Sequence, residues 1–158
     1  LDSLLVPVGG GGLLAGTAIA ARGMRRGIAV IGVEPEQADD SMRSFRTGIR
    51  VGIDAPVTIA DGLRASIGER TFPIVMQSVD DVVTVTEAGI VSAMRLLWER
   101  MKIVVEPSSA VPLAGILEGR IPVAGRSVGI ILTGGNVALD ALPWQGQART
   151  PATPASPG

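Results

Sequence analysis

Four consecutive glycines, Gly9, Gly10, Gly11 and Gly12, stand between an apolar run, Leu4-Leu5-Val6-Pro7-Val8, and a helix-like stretch that begins Leu13-Leu14-Ala15-Gly16-Thr17-Ala18. A strand that feeds a helix through such a turn constrains the chain more than any other feature. Residues without a Cβ let the backbone turn sharply and aim several N–H groups at one point, and the helix adds the positive end of its dipole. The arrangement reads as an anion site suited to a phosphate group, with a flexible loop as the plain alternative. Each charge-assisted N–H contact is worth about 1.5–3 kcal/mol, so about four or five would hold a phosphorylated ligand without lysine or arginine.

Three short apolar runs, residues 4–8, 29–33 and 128–132, have the pattern of strands buried on both faces of a parallel sheet, and residues 81–86 form a β-branched fourth. Helical patterns lie between them over residues 13–26, 87–102 and 108–119, the last expected to be capped by Ser108 or Ser109 and closed by Gly119. Strands alternating with helices predict an α/β layer fold with an open, mostly parallel sheet and flanking helices. From Pro143 the composition turns to Pro, Ala, Ser, Thr and Gly, so residues 143–158 read as a disordered tail behind a domain of residues 1–142.

Composition narrows the chemistry. With 14 basic and 15 acidic residues, a net charge of −1 and two Trp and two Phe as the only aromatics, nucleic acid is not an expected partner. The absence of cysteine and histidine removes thiolate and imidazole groups both as metal ligands and as nucleophiles or bases. No apolar stretch approaches the length of about 18 residues needed to span a membrane, so no membrane association is expected and the cytoplasm is the expected compartment.

The glycine turn admits two ligands. Gly10-Gly11-Gly12-Leu13-Leu14-Ala15 satisfies the dinucleotide pattern G-x-G-x-x-A, with Glu34 about 20 residues on where a ribose-binding carboxylate would stand. A longer series uses more of the chain: Gly9 to Leu13, then Gly32-Val33-Glu34-Pro35, Thr58-Ile59-Ala60-Asp61-Gly62-Leu63, Val85-Thr86-Glu87, Trp98-Glu99-Arg100, Glu106-Pro107-Ser108-Ser109-Ala110 and Leu132-Thr133-Gly134-Gly135-Asn136. In this order the motifs strongly resemble the serine racemase and threonine/serine dehydratase family, fold-type II enzymes dependent on pyridoxal 5′-phosphate. The resemblance covers nearly all of residues 1–142 and corresponds to the second half of such an enzyme.

The resemblance implies roles residue by residue. Gly9, Gly10, Gly11, Gly12 and Leu13 would bind the cofactor phosphate, and Thr133 would stand beside the pyridine nitrogen. Asn136 would orient the same loop or cap a helix. Glu106 would lie near the ring as a candidate catalytic acid, although a structural acid at a helix N-terminus is an equal reading. Asp61-Gly62 would lie near the phosphate end, with an ordinary turn as the alternative. Glu34, the carbonyl of Ala38, and Asp40 resemble the family's divalent-cation site, where hard oxygen ligands suit Mg²⁺ or Ca²⁺; by charge alone the same cluster is a solvated loop.

The family also holds its cofactor on a lysine, and that amine removes the substrate α-proton. The single lysine, Lys102, is not in the matching place, and Ser44-Phe45-Arg46-Thr47-Gly48 only imitates the motif, since arginine stays protonated. The lysine half, the racemase's second acid/base and the small domain are therefore expected in a missing N-terminal half, and the isolated chain is expected to be inactive. The implied activity is β-elimination of water from serine, threonine or another 3-hydroxy amino acid, giving a 2-oxo acid and ammonia. Racemisation of serine or aspartate is the neighbouring reading. A small amino-acid substrate and a homodimer are the implied partners. A non-catalytic cofactor- or dinucleotide-binding domain is the reading from another class.

Overall fold

The computed structural model describes residues 1–145. Four parallel strands, β1 (Ser3–Pro7), β2 (Ala29–Pro35), β3 (Asp81–Val85) and β4 (Val128–Ile130), form one sheet in the order β3-β2-β1-β4. Ser3 pairs with Ala29 on one side and with Val128 on the other, and Ile31 pairs with Asp81. The expected α/β layer with a mostly parallel sheet is the fold observed.

Helices cover both faces. On one, α1 (Gly12–Met24) and α3 (Thr71–Ser78) enclose Val6, Val8, Leu14, Ala18, Val30, Val75 and Val82. On the other, α4 (Glu87–Leu96) and α5 (Pro107–Leu117) enclose Leu5, Val33, Val85, Ile90, Met94 and Val111. The α1 layer sits close to the sheet because Gly32 has no side chain: a Cβ there would stand 2.8 Å from Leu14 Cδ2.

Several elements differ from the sequence pattern. β4 is only half-buried, because it lies at the sheet edge and not between two strands. The helix after β3 widens into a π-type turn over Leu97–Met101 and stops where Lys102 takes a left-handed conformation with φ 60°. Two short helices lie outside the expected helical patterns: α2 (Asp40–Thr47), whose fully buried residues are Asp40, Ser41 and Ser44 with Met42 and Phe45 packed beside them, and α3. α5 is capped neither by Ser108 nor by Ser109; Pro107 takes the first helical position, which moves the cap back to Glu106. Gly119 does close the helix, with φ 69°. Trp144, assigned by composition to the tail, packs edge-on against Trp98 with ring centroids 5.5 Å apart, and the rest of the expected tail, residues 146–158, lies outside the described residues.

Candidate active site

The chain leaves β1 at Pro7, passes the buried Val8 and turns through the glycines into α1. Gly11 is the residue before the helix and has φ 80°, a left-handed conformation that glycine adopts without strain. A Cβ on it would meet Thr71 Oγ1 at 2.9 Å and Ile67 Cγ1 at 3.2 Å. The Gly10 carbonyl is held from behind, accepting from Thr71 Oγ1 at 2.7 Å and from the Gly68 amide at 3.1 Å. With that oxygen occupied, the first amides of α1, at Gly12, Leu13 and Leu14, have no carbonyl four residues back within the helix to donate to.

These residues open onto a cavity of about 240 Å³. Residues 9–13 form one side, Gly62 and Leu63 a second, and Glu106, Ser108 and Thr133 the third. The structure thus brings the glycine turn, Glu106, Thr133 and the turn after Asp61 to one place. Asn136 stands just outside, bordering a neighbouring hollow with Asp61 and Arg64.

On the third side Glu106 stands at the start of α5 and lines the cavity. It occupies the cap position of α5, where its backbone amide donates to the Gly134 carbonyl at 2.9 Å. Its carboxylate faces the loop after β4: Oε1 accepts from Thr133 Oγ1 at 3.4 Å and Oε2 from the Asn136 amide at 3.1 Å. Asn136 thus enters through its backbone, and no helix follows it among the described residues. Two contacts were invisible in the sequence. The Gly62 amide donates to Ser108 Oγ at 3.1 Å and the Thr133 amide to Ser109 Oγ at 2.9 Å. The serine pair looked like a helix cap, and nothing local distinguished the two uses.

The carboxylate corner lies apart from this cavity. Glu34, at the end of β2, is fully buried; its Oε1 accepts from the Met42 amide at 2.6 Å, while Oε2 is buried without a partner. Burial, with a smaller push from the Asp40 charge, raises its carboxyl to about 8 against the opposing Met42 hydrogen bond. Asp40 is also raised by burial, although its Oδ2 accepts from the Ile67 amide at 2.7 Å. Ala38 is buried between them in the turn Glu36–Ala38. Among the described residues, no three His, Cys, Asp or Glu side chains gather as metal ligands, so this corner offers two carboxylates and backbone oxygens.

One sequence reading falls away, and the two segments set aside in the sequence also lie apart from the cavity. Glu34 cannot bind a ribose from the glycine turn as the dinucleotide reading requires, because its carboxylate is sealed against α2 and does not border the cavity. The Ser44–Gly48 segment forms the end of α2 and its left-handed Gly48 cap, also away from the cavity. Lys102 ends the π-type turn and does not line the cavity either. Among the described residues, no helix is long and apolar enough to cross a membrane.

A parallel α/β sheet whose first strand–helix turn presents glycine amides to a cavity, faced by a hydroxyl and a carboxylate, defines an α/β protein with an anion-binding turn. Comparison with known families gives that class a name: residues 1–134 match the model described as pyridoxal-phosphate dependent enzyme, and the chain belongs to that family. It is 48% identical over 144 residues to a beta-hydroxyaspartate dehydratase of Paracoccus denitrificans, a match covering 91% of this chain and 46% of the relative. It is 44% identical over 156 residues to the serine racemase of Mus musculus, covering 96% and 46% respectively. The crystal structure of a T.th. threonine deaminase superposes with a TM-score of 0.82 at 48% identity, over 87% of this chain and 50% of that one. The chain spans about half the length of the curated relatives it matches.

Proposed function

We propose that these residues are the C-terminal half of an ammonia-lyase that eliminates water from a 3-hydroxy amino acid, with serine, threonine and 3-hydroxyaspartate as the candidate substrates, to give a 2-oxo acid and ammonia. The observation that carries this is the opening of the glycine turn and the Thr133–Glu106 pair onto one cavity. The residues fit pyridoxal 5′-phosphate. A Cβ at Gly9 would stand 3.0 Å from Leu63 Cα and one at Gly11 2.9 Å from Thr71 Oγ1, so the turn that aims these amides into the cavity can close only without side chains at those two positions.

In this reading the amides of residues 9–13 and the N-terminal dipole of α1 take the phosphate. Thr133 Oγ1 would donate to the unprotonated pyridine nitrogen, giving up its long, 3.4 Å contact with Glu106 Oε1. The bound cofactor supplies an electron sink for charge developing at the substrate α-carbon. A neutral hydroxyl at Thr133 does not hold a proton on the ring nitrogen as a carboxylate would, and that suits loss of a β-hydroxyl. The amine that removes the α-proton comes from outside the described residues, since Lys102 lies away from the cavity.

The same proposal assigns Mg²⁺ or Ca²⁺ to Glu34, the Ala38 carbonyl and Asp40. Support comes from Glu34 Oε2, a buried carboxylate oxygen that meets no hydrogen bond of good geometry although Ser41 lies beside it, next to the second buried carboxylate of Asp40; a hard cation would displace the proton that burial keeps on Glu34. A structural role follows from its place behind the glycine turn.

Serine racemisation is the second reading, favoured by the likeness to the mouse enzyme. The test is to load the full-length protein with cofactor and supply L-threo-3-hydroxyaspartate, L-serine and L-threonine. Release of ammonia and a 2-oxo acid from at least one is expected. Cofactor binding with D-serine formed and no ammonia released would replace the lyase reading with the racemase one.

A further inference from the structure

We infer that Ser109 is the positioning residue for the ring end of the cofactor site, its buried hydroxyl oxygen fixing Thr133 opposite the glycine turn. This rests on the proposed place of Thr133 beside the cofactor ring. The loop carrying Thr133 has left the sheet, whose last bond on this side is Ile131 N–H to the Leu5 carbonyl at 3.0 Å. Beyond that point, among the described residues, the polar ties of Thr133, Gly134 and Asn136 run to the first turn of α5. Thr133 N–H donates to Ser109 Oγ, Glu106 N–H to the Gly134 carbonyl, and Asn136 N–H and Thr133 Oγ1 to the Glu106 carboxylate.

These ties are not equivalent. The Glu106 carboxylate bonds reach exposed partners at 3.1 and 3.4 Å, where water competes. Ser109 has no exposed surface and its bond to the Thr133 amide, at 2.9 Å, is part-buried where the two carboxylate bonds are exposed, so water competes with it less. Nor does the helix need the hydroxyl. Ser109 is not the cap, and alanine is the better helix former at that position. Its neighbour Ser108, about 100° further round the helix, accepts from Gly62 on another side of the cavity. Two consecutive serines therefore tie two loops to one rigid turn, and Ser109 sets the position of the ring-facing hydroxyl.

The experiment compares the full-length holoenzyme with Ser109→Ala. The dissociation constant for pyridoxal 5′-phosphate is expected to rise several-fold to about tenfold, the cost of losing one part-buried hydrogen bond. The visible absorption of the bound cofactor should shift, and kcat should fall with little change in KM. Affinity for inorganic phosphate should stay at the wild-type value, because the glycine turn is untouched. Unchanged cofactor affinity and spectrum, or an equal loss of phosphate affinity, would overturn the inference. Ser109→Cys, which keeps a weaker acceptor in nearly the same volume, should fall between wild type and Ala; wild-type values for it would also count against Ser109. A wild-type protein that binds no cofactor would refute the proposed function itself, a separate outcome from a wild type that binds and a variant that behaves identically.

Discussion

The glycine side of the cavity presents backbone, with the Gly10 carbonyl held from behind by Thr71 and Gly68, while the opposite side presents the side chains of Thr133 and Glu106 on a loop tied to α5. The first depends on what its residues lack. Its donors are amides whose direction is set by φ and by the start of a helix. The second depends on a chain of acceptors, Ser109 under Thr133 and Glu106 under Thr133 and Asn136, supplied by an element more than twenty positions earlier in the chain. A backbone site of this kind fails abruptly when a Cβ is added; a side-chain site loses function by degrees.

The largest effect should come from Gly11→Ala. An L-residue at φ 80° whose Cβ stands 2.9 Å from Thr71 Oγ1 must shift the turn. We expect a loss of cofactor affinity of about a hundredfold, measured by titrating the apoenzyme. Retained affinity would mean that the glycine side does not hold the phosphate.

Thr133→Asp should leave phosphate binding intact while shifting the cofactor absorption and slowing elimination by about tenfold, since a charge replaces a neutral hydroxyl at the ring and confronts Glu106. Unchanged spectrum and rate would remove Thr133 from the site. A smaller effect on the opposite side is expected from Thr71→Val, which deletes one bond to the Gly10 carbonyl while Gly68 keeps the other. A loss of about 1 kcal/mol in phosphate affinity, with an unaltered spectrum, is the expected result.

The smallest effect concerns the carboxylate corner, which supports only the glycine side: Asp40 accepts from Ile67, and the next amide, Gly68, holds the Gly10 carbonyl. In cation-free protein Glu34 keeps its proton up to about 8, against an ordinary value of 4.5 in the unfolded chain. Between those two values the folded state binds the extra proton, so stability falls as pH rises through that window. Denaturation midpoints at pH 5 and 8 should show the fall, and Glu34→Gln should flatten it. Mg²⁺ should oppose it and tighten phosphate binding without moving the cofactor spectrum; a spectral change on cation removal would show that the corner serves the ring side too.

The same contrast explains what could be read from the residues alone. β1, the glycine turn and α1 follow from local rules, because an apolar run, missing Cβ atoms and an alanine-rich helix are all contiguous. The likeness that placed Thr133 and Glu106 on one site drew on motifs in order, and the family match confirms the family rather than those roles. Ser109 was hidden because a serine near a helix start ordinarily caps it; only the fold shows Pro107 displacing the cap and Thr133 arriving as the partner. α2 was hidden because its fully buried residues, Asp40, Ser41 and Ser44, are polar, and its Met42 and Phe45 are only partly buried. Trp144 was hidden in a polar, proline-rich context until Trp98 received it.

The most direct test of the central claim is a crystal structure of the full-length protein with pyridoxal 5′-phosphate. Phosphate oxygens are expected within about 3 Å of amides in residues 9–13, and the ring nitrogen at hydrogen-bond distance from Thr133 Oγ1. A phosphate seated instead at the arginine-lined hollow beside β3, where Arg46 and Arg120 offer the charge that the glycine turn lacks, would contradict that claim.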